Sequence, residues 1–289
     1  MSSSSFHTVT IAGGTGTLGY YVSEAFLNDG SYKVKILRKK PENENEKANL
    51  LASKGAEIVY ADYNQKDDLL KALKGTDVFV STLSGSSDLY DIQCQFLEAA
   101  KEVGVKRFIP SEFGGEYKLG THVFTDQKAK FREELEKSGL EYTYIYNGLF
   151  QEYFAYFGFD IKNKEVTFYT DGNAKISSTC MPDIAKYTVE SLKIPEARNA
   201  TIRVAGATLS INEYLQKFEE ATGSKWKIIE DKEVRHRFQN QIDPIPSLFD
   251  DFKVVAIENG VFEKNDNKKF SFTPRPVTEA INALVKQAQ

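Results

Sequence analysis

Residues 8–12 (T-V-T-I-A) are a short apolar run that passes directly into G-G-T-G-T-L-G at 13–19, and then into helical spacing at Leu18, Val22, Ala25 and Phe26. Strand, glycine loop and helix in immediate succession constrain this chain more than any other segment, because that order opens a βαβ unit built around a phosphate-binding turn. Gly13, Gly16 and Gly19 allow a tight turn, close approach of backbone to a pyrophosphate, and close packing of helix on strand. Gly14, Gly16 and Gly19 also satisfy the G-x-G-x-x-G pattern, so the spacing alone does not fix the subfamily. With Thr15, Thr17 and Leu18 they are the candidate phosphate-facing residues, since a helix N-terminus offers N–H groups and a positive dipole end to an anion. The competing reading is a glycine-rich turn without a ligand.

A second apolar run, residues 33–37 (K-V-K-I-L), ends in Arg38-Lys39-Lys40. Sites that prefer NAD place a carboxylate about 20 residues past the glycine loop, on the ribose 2′-hydroxyl. This chain has no acid there. Arg38 can stack on adenine and pair with a 2′-phosphate, and Lys39 and Lys40 add positive charge. NADP(H) is the cofactor this pattern favours, against a merely solvated basic turn.

Apolar runs and amphipathic helices alternate through the first half. Helical spacing at about 47–54, 66–74, 90–103 and 126–138 is interleaved with strand-like runs at 56–60, 77–83, 106–110 and 142–146. The pattern predicts one α/β, doubly wound (Rossmann) parallel sheet of six strands with right-handed crossovers, and a flexible loop at 84–87. From about Gln151 the pattern loosens. A strand is expected at 164–169, a helix at 181–192, strands at 201–204 and 226–229, and a helix from Ser210 to about Thr222. Ser210 and Glu213 form a capping box at the start of that helix. Residues 231–251, with Pro244 and Pro246, carry no clear periodicity. The division expected is a cofactor-binding domain at 1–155 and a smaller α+β substrate lobe at 156–289, interleaved with the first.

The 289 residues carry a net charge of −4, which gives no electrostatic reason to expect nucleic acid or an anionic membrane as partner. The polar start M-S-S-S-S lacks the charged and apolar segments of a secretory signal, and no apolar run is long enough to span a bilayer. Cys94 and Cys180 cannot make a disulfide framework, and three scattered histidines show no metal-ligand spacing. These features fit a reduced, cytoplasmic, metal-free protein acting on a small molecule, as a monomer or a homodimer.

An open α/β sheet binds its ligands at the carboxyl ends of its strands. The segments arriving there are Ser81-Thr82-Leu83, Ser111-Glu112-Phe113-Gly114 and Asn147-Gly148-Leu149-Phe150. Ser111, Phe113 and Asn147 are candidate contacts to cofactor or substrate, or residues that only close turns. Asp62, just past the third strand, can reach adenine or cap the following helix. No Tyr-x-x-x-Lys occurs, despite 15 tyrosines. Gln127-Lys128-Ala129-Lys130-Phe131-Arg132 stands in the corresponding region, opening the helix before strand six. A lysine there can bind ribose hydroxyls and donate a proton if burial lowers its pKa, or it is an ordinary solvated side chain. The aromatic stretch 151–159 fits either a wall for a flat substrate or core packing.

Several of these segments together resemble the isoflavone reductase-like and NmrA-like group of atypical short-chain dehydrogenases. The resemblance rests on G-G-T-G-T-L-G, Arg38, V-K-R-F-I-P-S-E-F-G at 105–114, and K-A-K-F-R at 128–132 followed by Tyr142-Thr143-Tyr144. It covers residues 7–155 well and fades beyond about Lys225. It implies that Lys128 is the active-site lysine and Arg38 the 2′-phosphate ligand. It further implies either an NADPH-dependent reductase of a small aromatic or enone-like molecule, or a catalytically silent NADP(H)-sensing regulator.

Overall fold

A computed structural model describes residues 6–41, 43–85 and 88–288. The polar start at 1–5 and the outer part of the loop expected at 84–87 therefore lie outside the described residues. Two compact units are formed. The first contains residues 1–113, 118–145 and 184–202; the second contains 114–117, 146–183 and 203–289.

In the first unit, β1 (Thr8–Ala12), α1 (Thr17–Asp29), β2 (Lys33–Lys39), α2 (Glu46–Ser53), β3 (Glu57–Ala61) and α3 (Lys66–Leu73) follow one another. They continue into β4 (Val78–Ser81), α4 (Leu89–Val103), β5 (Arg107–Ile109), α5 (Val123–Lys137) and β6 (Glu141–Tyr146). Burial on both faces means that polar positions of these strands, Thr10 and Lys35 among them, are buried along with the apolar ones. Val9, Ile11, Val34, Ile36, Val78 and Val80 are all essentially inaccessible to solvent. Pairing is parallel, with Ile11 opposite both Ile36 and Val80.

The strand order is β3-β2-β1-β4-β5-β6 with a seventh strand beyond β6. The first crossovers run outward from β1 on one side and the later ones on the other. Between β1 and β4 the order reverses, opening a crevice at the carboxyl ends of those strands. The sequence pattern gave six strands to this sheet. The seventh is β11 (Ala200–Arg203), which follows β7 (Leu149–Phe150), β8 (Phe159–Asp160), β9 (Glu165–Phe168), β10 (Lys175–Thr179) and α6 (Met181–Ser191) in the chain. Asn199 N–H donates to the Tyr142 carbonyl and Val204 N–H to the Tyr146 carbonyl, so β11 runs parallel to β6.

The second unit holds two three-stranded sheets. One is ordered β12-β10-β7, with β12 at Ala207–Ser210, and the other β13-β9-β8, with β13 at Lys227–Glu230. Helix α7 (Ile211–Thr222) starts on the expected capping box, the Ser210 hydroxyl accepting from Glu213 N–H and the Glu213 carboxylate accepting from Ser210 N–H. The region without clear periodicity contains α8 (Val234–Asn240) and leads into α9 (Leu248–Glu258), capped by Ser247 and Asp250 in the same manner. The last helix is α10 (Val277–Ala288).

The aromatic stretch forms a 3₁₀ helix at Gln151–Phe157 and enters β8. Phe154, Phe157 and Phe159 pack with Tyr214, Phe218, Trp226 and Ile281 in the core of this unit. Core packing is thus the role of these three rings, whereas Tyr156 is 58% exposed. Phe154 has ring contacts with Phe159, Tyr214 and Phe218 at 4.9–5.7 Å between centroids. Phe154→Ala is therefore expected to lower the unfolding free energy by about 3–5 kcal/mol in urea titrations. Tyr156→Ala should stay within about 0.5 kcal/mol of the parent protein.

Candidate active site

The carboxyl end of β1 is held by a small set of backbone contacts. The Ala12 carbonyl accepts from both Thr82 N–H (2.9 Å) and the Thr82 hydroxyl (2.8 Å), which fastens the end of β4 to the start of the glycine loop. Gly13 turns the chain at φ +74°, a conformation that favours glycine, and its carbonyl accepts from Gly16 N–H at 2.8 Å. A Cβ on Gly19 would lie 2.0 Å from that same carbonyl oxygen, so α1 can sit this close to the loop only with glycine there. Gly16 differs. It occupies the N-cap of α1 with no side-chain cap, and an added Cβ would meet only the Gly13 oxygen, at 3.1 Å. Gly16 and Thr17 are exposed and Thr15 half-buried, while Leu18 is buried under the helix. A tight glycine turn, a helix N-terminus without a capping side chain, and an exposed Gly16 fit a pyrophosphate.

At the end of β2, Arg38 lies beside Tyr60, its partner in the β2–β3 register. Its guanidinium carbon is 5.5 Å from the ring centroid, and Nη1 donates to the Tyr60 hydroxyl (3.0 Å) and the Asn43 carbonyl (2.8 Å). The Lys39 ammonium lies 6.0 Å from the ring centroid of Tyr63. Lys40 is engaged by Asp68 at 2.7 Å. Asp62 does not cap α3, whose N-cap is Gln65. Its carboxylate instead accepts from Asn64 N–H, closing the turn after β3. The helix-capping alternative for Asp62 is thereby corrected: the carboxylate meets a backbone donor two residues on, before the helix begins.

Beyond β4, Ser81 is fully buried, and the Leu83 carbonyl accepts from the Ser111 hydroxyl. Ser111 N–H in turn donates to the buried Gln93 side chain on α4, at 2.9 Å. This ties the S-E-F-G turn after β5 to β4 and α4. Within the turn Glu112 N–H donates to the Pro110 carbonyl (2.8 Å), and Phe113, buried, adopts φ +26°. A non-glycine residue at positive φ costs energy and persists only where its surroundings over-determine it.

Lys128 reaches this turn. Its ammonium donates to the Glu112 carbonyl at 2.5 Å, and burial, the largest cause, lowers its pKa from the ordinary lysine value. Helix α5 begins at Val123 rather than at about 126, because the His122 ring nitrogen Nδ1 accepts from Phe124 N–H at its N-cap. Lys128 therefore lies in the second turn of α5 and does not open the helix. Lys128 faces the S-E-F-G turn, while Lys130 is exposed. Arg132, one turn further on, pairs with the Glu112 carboxylate at 2.9 Å.

Asn147 belongs to the second unit and is fully buried. Its side-chain amide donates to the Gly148 carbonyl at 2.9 Å, and its own carbonyl accepts from the Thr179 hydroxyl at 2.8 Å. Turn closure thus uses one of its two amide N–H groups, while Oδ1 has no hydrogen-bond partner. Tyr60, Gln93, Glu112 and Arg132 were not singled out from the sequence. The β2–β3 pairing would have pointed to Tyr60, and the apolar face of α4 on which Gln93 interrupts Leu89, Phe96 and Leu97 would have pointed to Gln93. Among the described residues no cluster of three or more His, Cys, Asp or Glu could hold a metal, and no helix is long and apolar enough to cross a membrane.

Comparison with known proteins agrees with the fold described above. The model of the NmrA-like family matches residues 5–283, and the chain belongs to that family. It is 31% identical to phenylcoumaran benzylic ether reductase PT1 of Pinus taeda, covering 93% of this chain and 91% of that one. It is 34% identical to pinoresinol reductase 1 of Arabidopsis thaliana, over 75% of each. Among solved structures, the leucoanthocyanidin reductase–NADPH complex from Vitis vinifera superposes with a TM-score of 0.80 at 25% identity, covering 96% of this chain and 99% of the other. AtPrR2 with NADP+ and (+)pinoresinol also gives 0.80 at 25% identity, covering 97% and 99%.

The two glycines should separate on mutation. Gly16→Val is expected to stay folded, costing about 1 kcal/mol, because its extended backbone angles suit any residue and the one close neighbour of an added Cβ, the Gly13 oxygen at 3.1 Å, need give by only a few tenths of an ångström. Gly19→Ala is expected to lose about 1–3 kcal/mol or more, since the new methyl overlaps the Gly13 carbonyl. Thermal melts followed by circular dichroism distinguish the two.

Proposed function

We propose that the protein is an NADPH-dependent reductase of a small aromatic or enone-like molecule, with Lys128 as proton donor or relay. The observation that carries this reading is a half-buried lysine of lowered pKa, held by a backbone carbonyl at the ligand-binding edge of a dinucleotide-type sheet. The cofactor is NADP(H). Gly13, Thr15, Gly16, Thr17, Leu18 and Gly19 are suited to its pyrophosphate, and Arg38 and Lys39 to its 2′-phosphate. Asp62, Ser81, Thr82, Leu83, Ser111 and Phe113 are candidate contacts to the rest of it. The related proteins named above are reductases, two of them seen with NADPH or NADP+, which supports the same class of chemistry here. Their names also point to aromatic substrates.

Bound at this edge, NADPH would supply the hydride. The chain's part is to place a proton. Lys128 offers an ammonium with one N–H committed to Glu112 and two others available to a ribose hydroxyl, a water or a substrate oxygen. Lowering its pKa brings the donor closer to neutrality and makes proton transfer easier than from a solvated lysine. As a donor it must be protonated, so turnover should fall as pH rises through a midpoint below the ordinary lysine value of 10.5.

Two measurements test this. Calorimetric titration should show NADPH binding more tightly than NADH, with Arg38→Ala removing about ten-fold or more of that preference, the worth of one charge-assisted contact. Equal affinities would overturn the cofactor assignment. In single-turnover NADPH oxidation, Lys128→Ala should lose about 10²–10⁴-fold in rate with little change in NADPH affinity, while Lys130→Ala should behave as the parent protein. Undiminished turnover in Lys128→Ala would refute the catalytic role. Failure of any carbonyl or alkene to be reduced, with NADPH still bound tightly, would make a cofactor-sensing regulator the better reading.

A further inference from the structure

Glu112 is 3% exposed, too buried for a carboxylate without a partner, and lies in a turn that contains a strained residue. Burying a charge is costly unless it is paired and hydrogen-bonded. Its side chain meets the Arg132 guanidinium at 2.9 Å, and the arginine is itself largely buried. Its backbone carbonyl accepts from the Lys128 ammonium. One residue therefore receives two cations through two different groups, a guanidinium on its carboxylate and an ammonium on its carbonyl. The two cations stand four residues apart on α5, and so on one face of the helix.

We propose that Glu112 and Arg132 are positioning residues for Lys128, their buried ion pair clamping the S-E-F-G turn so that the Glu112 carbonyl, rather than a carboxylate, holds the ammonium. The inference rests on the reductase reading for its functional meaning and on the geometry for its physical content. A carboxylate that faced Lys128 directly would form an ion pair and stabilise the charged lysine. Arg132 occupies that carboxylate and leaves Lys128 a neutral acceptor, which fixes the ammonium without trapping its proton. Among the described residues Glu112 acts to raise the Lys128 pKa and Arg132 to lower it, with burial the larger effect. On β6, the Tyr144 hydroxyl lies 3.1 Å from the Glu136 carboxylate and 3.4 Å from the Arg132 carbonyl, either of which can take its one proton; burial pushes its phenol far up, so it stays neutral and adds no charge. The turn is held from its other side by Gln93 and by the Leu83 carbonyl. Removing the ion pair would therefore release the Glu112 side chain while leaving the rest of the turn anchored.

The test is the pKa of Lys128 itself, read from the 13Cε shift of labelled lysine in the full-length, cofactor-free protein and assigned with Lys128→Ala. Arg132→Gln should raise that pKa by about one pH unit or more, because the freed carboxylate turns to the remaining cation. Glu112→Gln should lower it, and Arg132→Lys, which keeps the charge, should stay near the parent value. If Arg132→Gln fails to fold, the downward shift in Glu112→Gln and the rescue by Arg132→Lys decide the matter alone. In turnover, Arg132→Gln should lower kcat about ten-fold or more with little change in KM and move the pH profile upward with the lysine. Shifts of the same sign in Arg132→Gln and Glu112→Gln, or none in either, overturn the positioning role even where Lys128→Ala abolishes turnover. Undiminished turnover in Lys128→Ala defeats instead the reading on which the inference rests, and the NMR titration still reports separately whether the clamp sets the lysine's charge.

Discussion

The close approach of α1 to the carboxyl end of β1 is the constraint on which the first unit depends. The Gly13 carbonyl takes Gly16 N–H on one side and faces the bare Cα of Gly19 on the other, while the preceding Ala12 carbonyl takes both donors of Thr82. Loop, helix and neighbouring strand therefore meet within two consecutive peptide units. That meeting lies where the strand order reverses, so packing alone creates a crevice bordered by backbone N–H groups. Three glycines serve different ends here. Gly13 supplies a left-handed turn, Gly19 supplies room for the helix, and Gly16 presents an exposed, side-chain-free N-cap.

From that edge outward, the site combines one strained turn with two cations of different character. Arg38 is half-exposed, its guanidinium carbon 5.5 Å from the Tyr60 ring centroid, with part of its hydrogen-bonding capacity on Asn43 and Tyr60. Such an arginine is preorganised for a phosphate at little entropic cost. Lys128 is held by a single backbone carbonyl in a turn whose conformation is fixed from β4, α4 and α5 together. A rigid support of this kind suits proton transfer, where a misplacement of about 1 Å is costly.

The first unit was largely legible in the sequence because its strands are buried on both faces and its helices on one. Thr8–Ala12, Val78–Ser81 and Arg107–Ile109 stand out as apolar runs whatever their partners. Strand β11 did not show its place, since pairing with β6 joins segments more than 50 residues apart and leaves no local mark. The start of α5 was hidden for another reason: histidine, unlike Ser, Thr, Asp or Asn, is not a residue that announces an N-cap. In the second unit, Ser210–Glu213 was readable as a capping box, whereas the equivalent Ser247–Asp250 pair lay in a mixed, proline-containing stretch that masked it. Strands β7 and β8 are two residues each and exist through backbone pairing, so no hydrophobic period could reveal them. Within the site, glycines and basic residues could be read singly. The Glu112–Arg132 pair could not, because it depends on the path of the turn between them.

The central claim is that this edge of the sheet holds NADPH, with Lys128 beside the reacting end. A crystal structure of the NADPH-bound protein tests it most directly. The account expects the pyrophosphate on the Gly13–Gly19 loop, the 2′-phosphate at Arg38, and the Lys128 ammonium within hydrogen-bonding distance of the nicotinamide ribose. Density that places the 2′-phosphate away from Arg38, or leaves Lys128 without any contact to the nicotinamide half of the cofactor, would contradict it.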